Sequence, residues 1–177
     1  MLTHWNRLLN TDCTVIDIGS HTVYPIFRVG STSLMSDADR TYTNRQISKC
    51  EHIDILIRNP IDRFVSGVNE YCRQNSLDVK KTRGLIKQEK LVDRHFAPQY
   101  IWLIHLYKFY KGTVTLKPFG SISEITQQHL KHLRANESHQ HVDPVEQFIN
   151  VDLALMKDLH KTVLLKDIIR KHKNVLS

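Results

Sequence analysis

The segment IDILIRNPIDRFVSGVNEYC, residues 53–72, limits the possible folds of this chain more than any other. Its first five residues are rich in β-branched side chains and read as a strand covered on both faces, as in parallel sheets. Asn59 then suits a helix N-cap, Pro60 the first helical turn, and Asp62 the positive end of the helix dipole. From there Ile61, Phe64, Val65, Val68, Tyr71 and Cys72 recur at three- and four-residue spacing, which predicts a helix over 60–75 with one apolar face. A buried strand leading directly into an amphipathic helix is the repeating unit of α/β domains.

The rest of the chain agrees. CTVIDI (13–18) and TVYPIF (22–27) read as strands separated by the turn residues Gly19 and Ser20, with Pro25 requiring a bend in the second. FRVGSTSL leads from a strand end into a helix reaching about Arg40. A helix over 97–112 stops at Gly112, and TVTLK (113–117) is another buried-type strand. A helix over 121–134 opens on Ser121 with Glu124 at the capping-box spacing. Residues 145–173 read as helical, with Leu153, Met156, Leu159, Val163 and Leu164 in register. No repeat or linker divides the sequence, so the expectation is one α/β domain over residues 1–177 with a mainly parallel sheet flanked by helices.

Composition narrows the partners. The contents of 41% hydrophobic and 24% charged residues are those of an ordinary soluble protein, and no apolar run approaches the roughly 18 residues of a membrane span. The N-terminal residues lack the pattern of a secretory signal, and three widely spaced cysteines suit reduced thiols in a cytoplasmic protein better than a disulfide framework. A net charge of +7 favours polyanionic partners. The basic segments VKKTRGLIKQEK and KDIIRKHKN lack the interleaved aromatics of a base-stacking surface, so a nucleic-acid partner rests on charge alone. His129, His132, His139 and His141 have no cysteine or carboxylate completing a zinc spacing, and a polar surface loop is expected there, without a metal.

Ligands of parallel sheets bind beyond the carboxyl ends of the strands, and two corners qualify. At the first, Arg28, Val29 and Gly30 precede Ser31, Thr32 and Ser33: a cation, a glycine permitting close backbone approach, and three hydroxyls at a helix start. No Gly-Lys-Ser/Thr ending is present, so a nucleoside-triphosphate P-loop is not indicated. At the second, Arg58 stands where a strand gives way to a helix, and Ser66 lies two turns on, roughly 9 Å along the axis by the rise of ~1.5 Å per residue. A bulky anion could touch both. A structural corner with a serine-rich helix cap would use the same residue types.

These two corners together resemble the signatures of the sulfotransferases, in particular the carbohydrate sulfotransferase group. Phe27 to Ser33 is similar to the strand-loop that cradles the 5′-phosphosulfate of 3′-phosphoadenosine 5′-phosphosulfate (PAPS), and RNPIDRFVS supplies Arg58, Pro60, Arg63 and Ser66 at the spacing of the 3′-phosphate signature. DRHFAPQ (93–99) resembles a further stretch of some members, and the likeness runs in order over roughly residues 22–135. Three positions depart from the pattern: Arg28 replaces a lysine, Asn59 an aspartate, and Gly120 a glutamate. Only 27 residues separate Gly30 from Arg58, where the family usually carries acceptor-binding structure.

The resemblance implies a three-layer, P-loop-like sulfotransferase fold, PAPS as donor, no metal, and a hydroxyl acceptor on a carbohydrate or small metabolite. It implies that Arg28, Val29, Gly30, Ser31, Thr32, Ser33, Arg58 and Ser66 hold the nucleotide, with Arg28 also countering charge on the leaving oxygen. For the general base, Glu51 and His52 lie about 16 Å from the carboxyl end of the 53–57 strand, which speaks against both. His95 is the first candidate and Asp37 the second. The alternative is a catalytically inactive descendant that keeps the nucleotide site as a binding or interaction module.

Overall fold

A computed structural model of the chain describes residues 5–126 and 142–173. Six strands form one sheet in the order β3-β1-β2-β4-β5-β6, comprising β1 (Val15–Ile18), β2 (His21–Val23), β3 (Arg40–Tyr42), β4 (His52–Ile57), β5 (Thr113–Pro118) and β6 (Thr162–Leu164). The parallel pairs are β2–β4 and β4–β5, whereas β1–β2, β1–β3 and β5–β6 are antiparallel. The sheet is therefore mixed, with a parallel centre, and not mainly parallel as the strand-helix alternation suggested. The first reason is local: a two-residue turn at Gly19 and Ser20 can join only antiparallel neighbours.

The helices are α1 (Asn6–Leu9), α2 (Ser31–Ser36), α3 (Asn44–Ile47), α4 (Pro60–Asn75), α5 (Val79–Lys87), α6 (Gln99–Phe109), α7 (Ile122–Thr126), α8 (Glu146–Leu155) and α9 (Leu165–His172). Helix α4 starts and ends as its sequence requires: the Asn59 side chain accepts from the amides of Ile61 and Asp62, and a left-handed Ser76 closes the C-terminus. Two helices are shorter than expected. Helix α2 stops at Ser36, and Arg40 opens β3 instead of closing a helix. The 145–173 helix is broken by a 3-10 turn over Met156–Asp158 and by β6, because its third quarter meets the free edge of β5. Ser121 lies in a 3-10 turn, Phe119–Ser121, and so does not cap the helix that follows. The expected helix beyond 126 and the histidines at 129, 132, 139 and 141 lie outside the described residues.

Strand register sorts the core. Ile53, Ile55, Ile57, Val114 and Leu116 lie on one face of the sheet and are fully buried. Tyr24 continues β2 on that same face, its amide donating to Asp54 O, and its ring meets Trp102 and His105 of α6. Helix α6 is apolar nearly all round for this reason, lying between the sheet and helices α1, α3, α8 and α9. The other face carries buried Val23 and Leu56 beside polar His52, Asp54, Thr115 and Lys117. So β4 is not covered by apolar neighbours on both sides; Asp54 interrupts it and is neutralised locally. No described helix is long and apolar enough to cross a membrane, and all three cysteines are free.

Candidate functional site

Beyond the carboxyl ends of β2 and β4 the chain makes two turns that meet. After Tyr24 it bends through Pro25 into a turn in which the Val29 amide donates to Ile26 O at 3.1 Å. Arg28 occupies the left-handed region, φ 63°, which costs a non-glycine residue about 1 kcal/mol or more and persists only where neighbours enforce it. Those neighbours are visible. Arg63 Nε donates to Phe27 O at 3.0 Å, and Arg58 Nη1 donates to Arg28 O at 3.3 Å. The Arg28 side chain donates from Nε (3.2 Å) and Nη2 (2.8 Å) to Ser66 Oγ, nearly two turns into α4.

The second turn is set by α6 and α8. Gln99 Nε2 donates to Arg58 O and its Oε1 accepts from Arg58 N, both at 2.9 Å. Gln99 is in turn placed by Asp152 of α8, which accepts from the amides of Gln99 (2.6 Å) and Tyr100 (2.9 Å). Helix α6 begins at Pro98, which offers no side-chain cap, and the buried Asp152 carboxylate supplies one from across the fold. The Arg58 guanidinium lies over the Phe119 ring, 5.4 Å from its centre.

The electrostatics are lopsided. Burial lowers the basicity of Arg28 and of Arg58, and for Arg58 the charge of Arg28 adds to the effect while Asp62 opposes it. Arg63, only 2% exposed, falls to about 10 through burial, with Asp152 opposing and Arg58 and Arg28 contributing. Arg63 Nη1 donates to Ala97 O, and its Nη2 is buried without a hydrogen-bond partner among the described residues. Burial pushes Asp152 up to about 6 despite Arg63 and the amides it accepts from. Glu70, the acidic group whose charge acts on Arg28, is already engaged by Arg73 at 2.6 and 3.0 Å. Among the described residues, none of the three arginines forms a direct ion pair with a carboxylate. Three guanidiniums gathered in this way favour an anion.

His95 stands at the same corner. Its ring is edge-on to Phe27, the residue before Arg28, with centroids 5.6 Å apart. Its carbonyl lies against Gly67, the residue after Ser66, where an added Cβ would stand 2.1 Å from that oxygen. Asp93 Oδ1 meets His95 Nδ1 at 2.5 Å and also accepts from the His95 amide at 2.9 Å, which leaves Nε2 for a further partner. A carboxylate on Nδ1 orients the ring and selects the tautomer with Nε2 unprotonated.

The other expected site residues fare differently. Gly30 is left-handed, φ 71°, but the space beside it is filled by Ile122 Cδ1, 2.3 Å from an ideal Cβ, and by Phe119. The absence of a side chain at Gly30 is what lets α2 pack against the 119–122 turn. Ser31, Thr32 and Ser33 open α2, with Ser33 O accepting from Ser36 Oγ, while Val29 is fully buried. Asp37 is carried to the far end of α2, about 9 Å from its start. The chain then reaches Asp39, whose carboxylate accepts from Gly19 N where β1 turns into β2. Asp37 thus lies two residues before a contact at the end of the sheet opposite Arg28. Glu51 and His52 lie at that opposite end also, as the strand length required.

Sequence reasoning missed Gln99, Asp152 and Asp93 as parts of this corner. Asp93 and Gln99 both stand in the quoted stretch DRHFAPQ, whereas nothing in the sequence marked Asp152. It also missed a polar network at the start of β4, where buried Asp54 meets His21 Nδ1 (2.9 Å), His52 Nε2 (3.2 Å) and Lys117 Nζ (2.8 Å). A groove of about 560 Å³ lined by Arg40, Lys49, His52 and Asp54 opens beside it. Among the described residues no group of three or more histidine, cysteine or carboxylate side chains is placed to hold a metal ion. No protein-family model, curated protein or solved structure matches the chain, so the corner built by Arg28, Arg58, Arg63 and Ser66 is read from its geometry.

Proposed function

We propose that the chain has a sulfotransferase-like, P-loop-related three-layer fold and binds a 3′-phosphoadenosine nucleotide at the arginine corner. From PAPS it would transfer the sulfuryl group to a hydroxyl of a carbohydrate or small metabolite. The observation that carries this reading is the convergence of Arg28, Arg58 and Ser66, 38 residues apart at the ends, with no carboxylate ion-paired to the guanidiniums among the described residues. A nucleotide phosphate supplies the missing negative charge.

In the reaction His95 Nε2, held by Asp93, takes the proton of the acceptor hydroxyl. The acceptor oxygen bonds to sulfur as the bond from sulfur to the 5′-phosphate oxygen breaks, and that oxygen keeps the electron pair. The products are a sulfate ester and 3′-phosphoadenosine 5′-phosphate. Catalysis of this kind comes chiefly from positioning and charge stabilisation.

One observation favours a second reading. The Arg28 guanidinium is engaged by Ser66, and among the described residues no hydrogen bond joins it to the Ser31–Ser33 turn where a leaving oxygen would need its charge. A nucleotide-binding module without turnover accounts for that. Two measurements decide. Millimolar 3′-phosphoadenosine 5′-phosphate should raise the melting temperature of the wild type but not of Arg58→Ala; no rise in the wild type defeats the nucleotide reading. Labelled sulfate appearing on a panel of carbohydrates and hydroxylated metabolites supports the enzyme, and binding without transfer supports the module.

A further inference from the structure

The sulfotransferase signatures divide their labour, the loop cation serving the 5′ end of the nucleotide and the arginine-serine pair its 3′-phosphate. The geometry of this chain does not divide it. Both Nε and Nη2 of Arg28 are spent on Ser66 Oγ, at 3.2 and 2.8 Å. Ser66 is 1% exposed, so a ligand arriving from solvent meets the half-buried Arg28 guanidinium before it meets the hydroxyl. Arg58 reaches the same turn, with Nη1 donating to the backbone carbonyl of Arg28 at 3.3 Å and its guanidinium over the Phe119 ring.

The backbone confirms that this placement is enforced. The Arg28 carbonyl can face Arg58 because the residue is held left-handed, and the buried Arg63 pins the preceding carbonyl of Phe27. Two like charges held together in a half-buried corner repel, and a doubly charged oxyanion between them relieves that repulsion while accepting from both forks.

We propose that Arg28 and Arg58 grip one and the same group, the 3′-phosphate of the nucleotide, and that Ser66 is a positioning residue acting only through Arg28. This rests on the nucleotide reading above. Ligand selection then lies in the 3′-phosphate, and the 5′ substituent is not read by Arg28. The donor and its spent product are held alike at this end.

Calorimetric titration with 3′-phosphoadenosine 5′-phosphate and with adenosine 5′-monophosphate, which lacks the 3′ group, tests the assignment. The wild type should prefer the first by about tenfold or more, the scale of a charge-assisted hydrogen bond. Arg28→Ala should reduce that preference several-fold, with Arg58 still on the phosphate, and should weaken 3′-phosphoadenosine 5′-phosphate by a larger factor than adenosine 5′-monophosphate. Ser66→Ala should weaken the preference by a few-fold and add nothing on the Arg28→Ala background. Arg28→Lys, which keeps the charge, guards against a folding defect: part of the preference should survive, and Ser66→Ala should be silent there too. If Arg28→Ala weakens both nucleotides equally, Arg28 serves the 5′ side and the assignment fails while the nucleotide reading stands. A Ser66→Ala loss added in full to that of Arg28→Ala places the hydroxyl on the phosphate and also overturns it. Binding of neither nucleotide at millimolar concentration removes the nucleotide reading together with this inference.

Discussion

Gln99 holds Arg58 by its backbone alone, donating to the carbonyl and accepting from the amide at the same 2.9 Å. The clasp leaves the guanidinium unengaged by Gln99 and fixes the point from which it projects. It also ties the start of α6 to the end of β4, since Asp152 accepts from the Gln99 amide at 2.6 Å.

Gln99→Ala should therefore destabilise the fold by roughly 2–3 kcal/mol, because the amide and carbonyl of Arg58 each lose a buried partner. Chemical denaturation measures it. Gln99→Glu keeps the acceptor but loses the donor and adds a charge beside Asp152, and should be at least as damaging.

Gly67 and Gly84 should respond to alanine with opposite signs. Gly84 lies within α5 with nothing within 4 Å of an added Cβ, so Gly84→Ala should stabilise by about 0.5–1 kcal/mol through helix propensity. At Gly67 the same atom would stand 2.1 Å from the His95 carbonyl and 3.1 Å from Phe96 Cα. Gly67→Ala should destabilise by about 1–3 kcal/mol despite the better propensity, and displace the 93–97 turn. Denaturant midpoints of the two variants, taken side by side, check this.

If the chain transfers sulfuryl groups, His95→Ala should reduce turnover by about a hundredfold or more, the usual share of a general base, with little change in nucleotide affinity. Asp93→Asn should act in the same direction by releasing the ring from its tautomer, and should alter the pH profile of turnover. Equal turnover in His95→Ala and wild type would remove the base from this corner.

Acid stability should depend on Asp158, between α8 and α9. Burial acts to raise its pKa, but Lys171 (2.6 Å), His172 (2.9 Å) and Lys161 (3.2 Å) outweigh it and hold the carboxyl at about 2. With a folded value below the ordinary 3.8, its contribution is full above about pH 4 and is lost as the pH falls towards 2. Asp158→Asn should remove roughly 1–2 kcal/mol at neutral pH and flatten that part of the curve. Urea midpoints between pH 2 and 5 give the comparison.

Much of the local structure is legible in the sequence. The strand at 52–57, the Asn59 cap and the helix to Asn75 follow from β-branching, an Asx side chain and a three-four apolar period, all of which act within a few residues. The breaks were less legible. Leu153, Met156, Leu159, Val163 and Leu164 keep a helical period, yet the segment opens into β6 because β5 offers an unpaired edge, and no neighbour in sequence announces that. Asp54 was passed over within an apolar strand because its partners His21 and Lys117 lie 33 and 63 positions away.

The sequence by itself determined that a cation would stand at each of two strand ends, with a hydroxyl two turns into the following helix. Short-range propensities place such residues, since they depend on backbone preferences and on side chains within a turn or two. Only the tertiary structure decided that Arg28 lies on Ser66, that Gln99 and Asp152 set the projection of Arg58, and that the His95 ring packs on Phe27 beside that corner. Those outcomes depend on packing between segments tens of residues apart, where close approach at Gly67 and burial of Arg63 settle which side chains can meet.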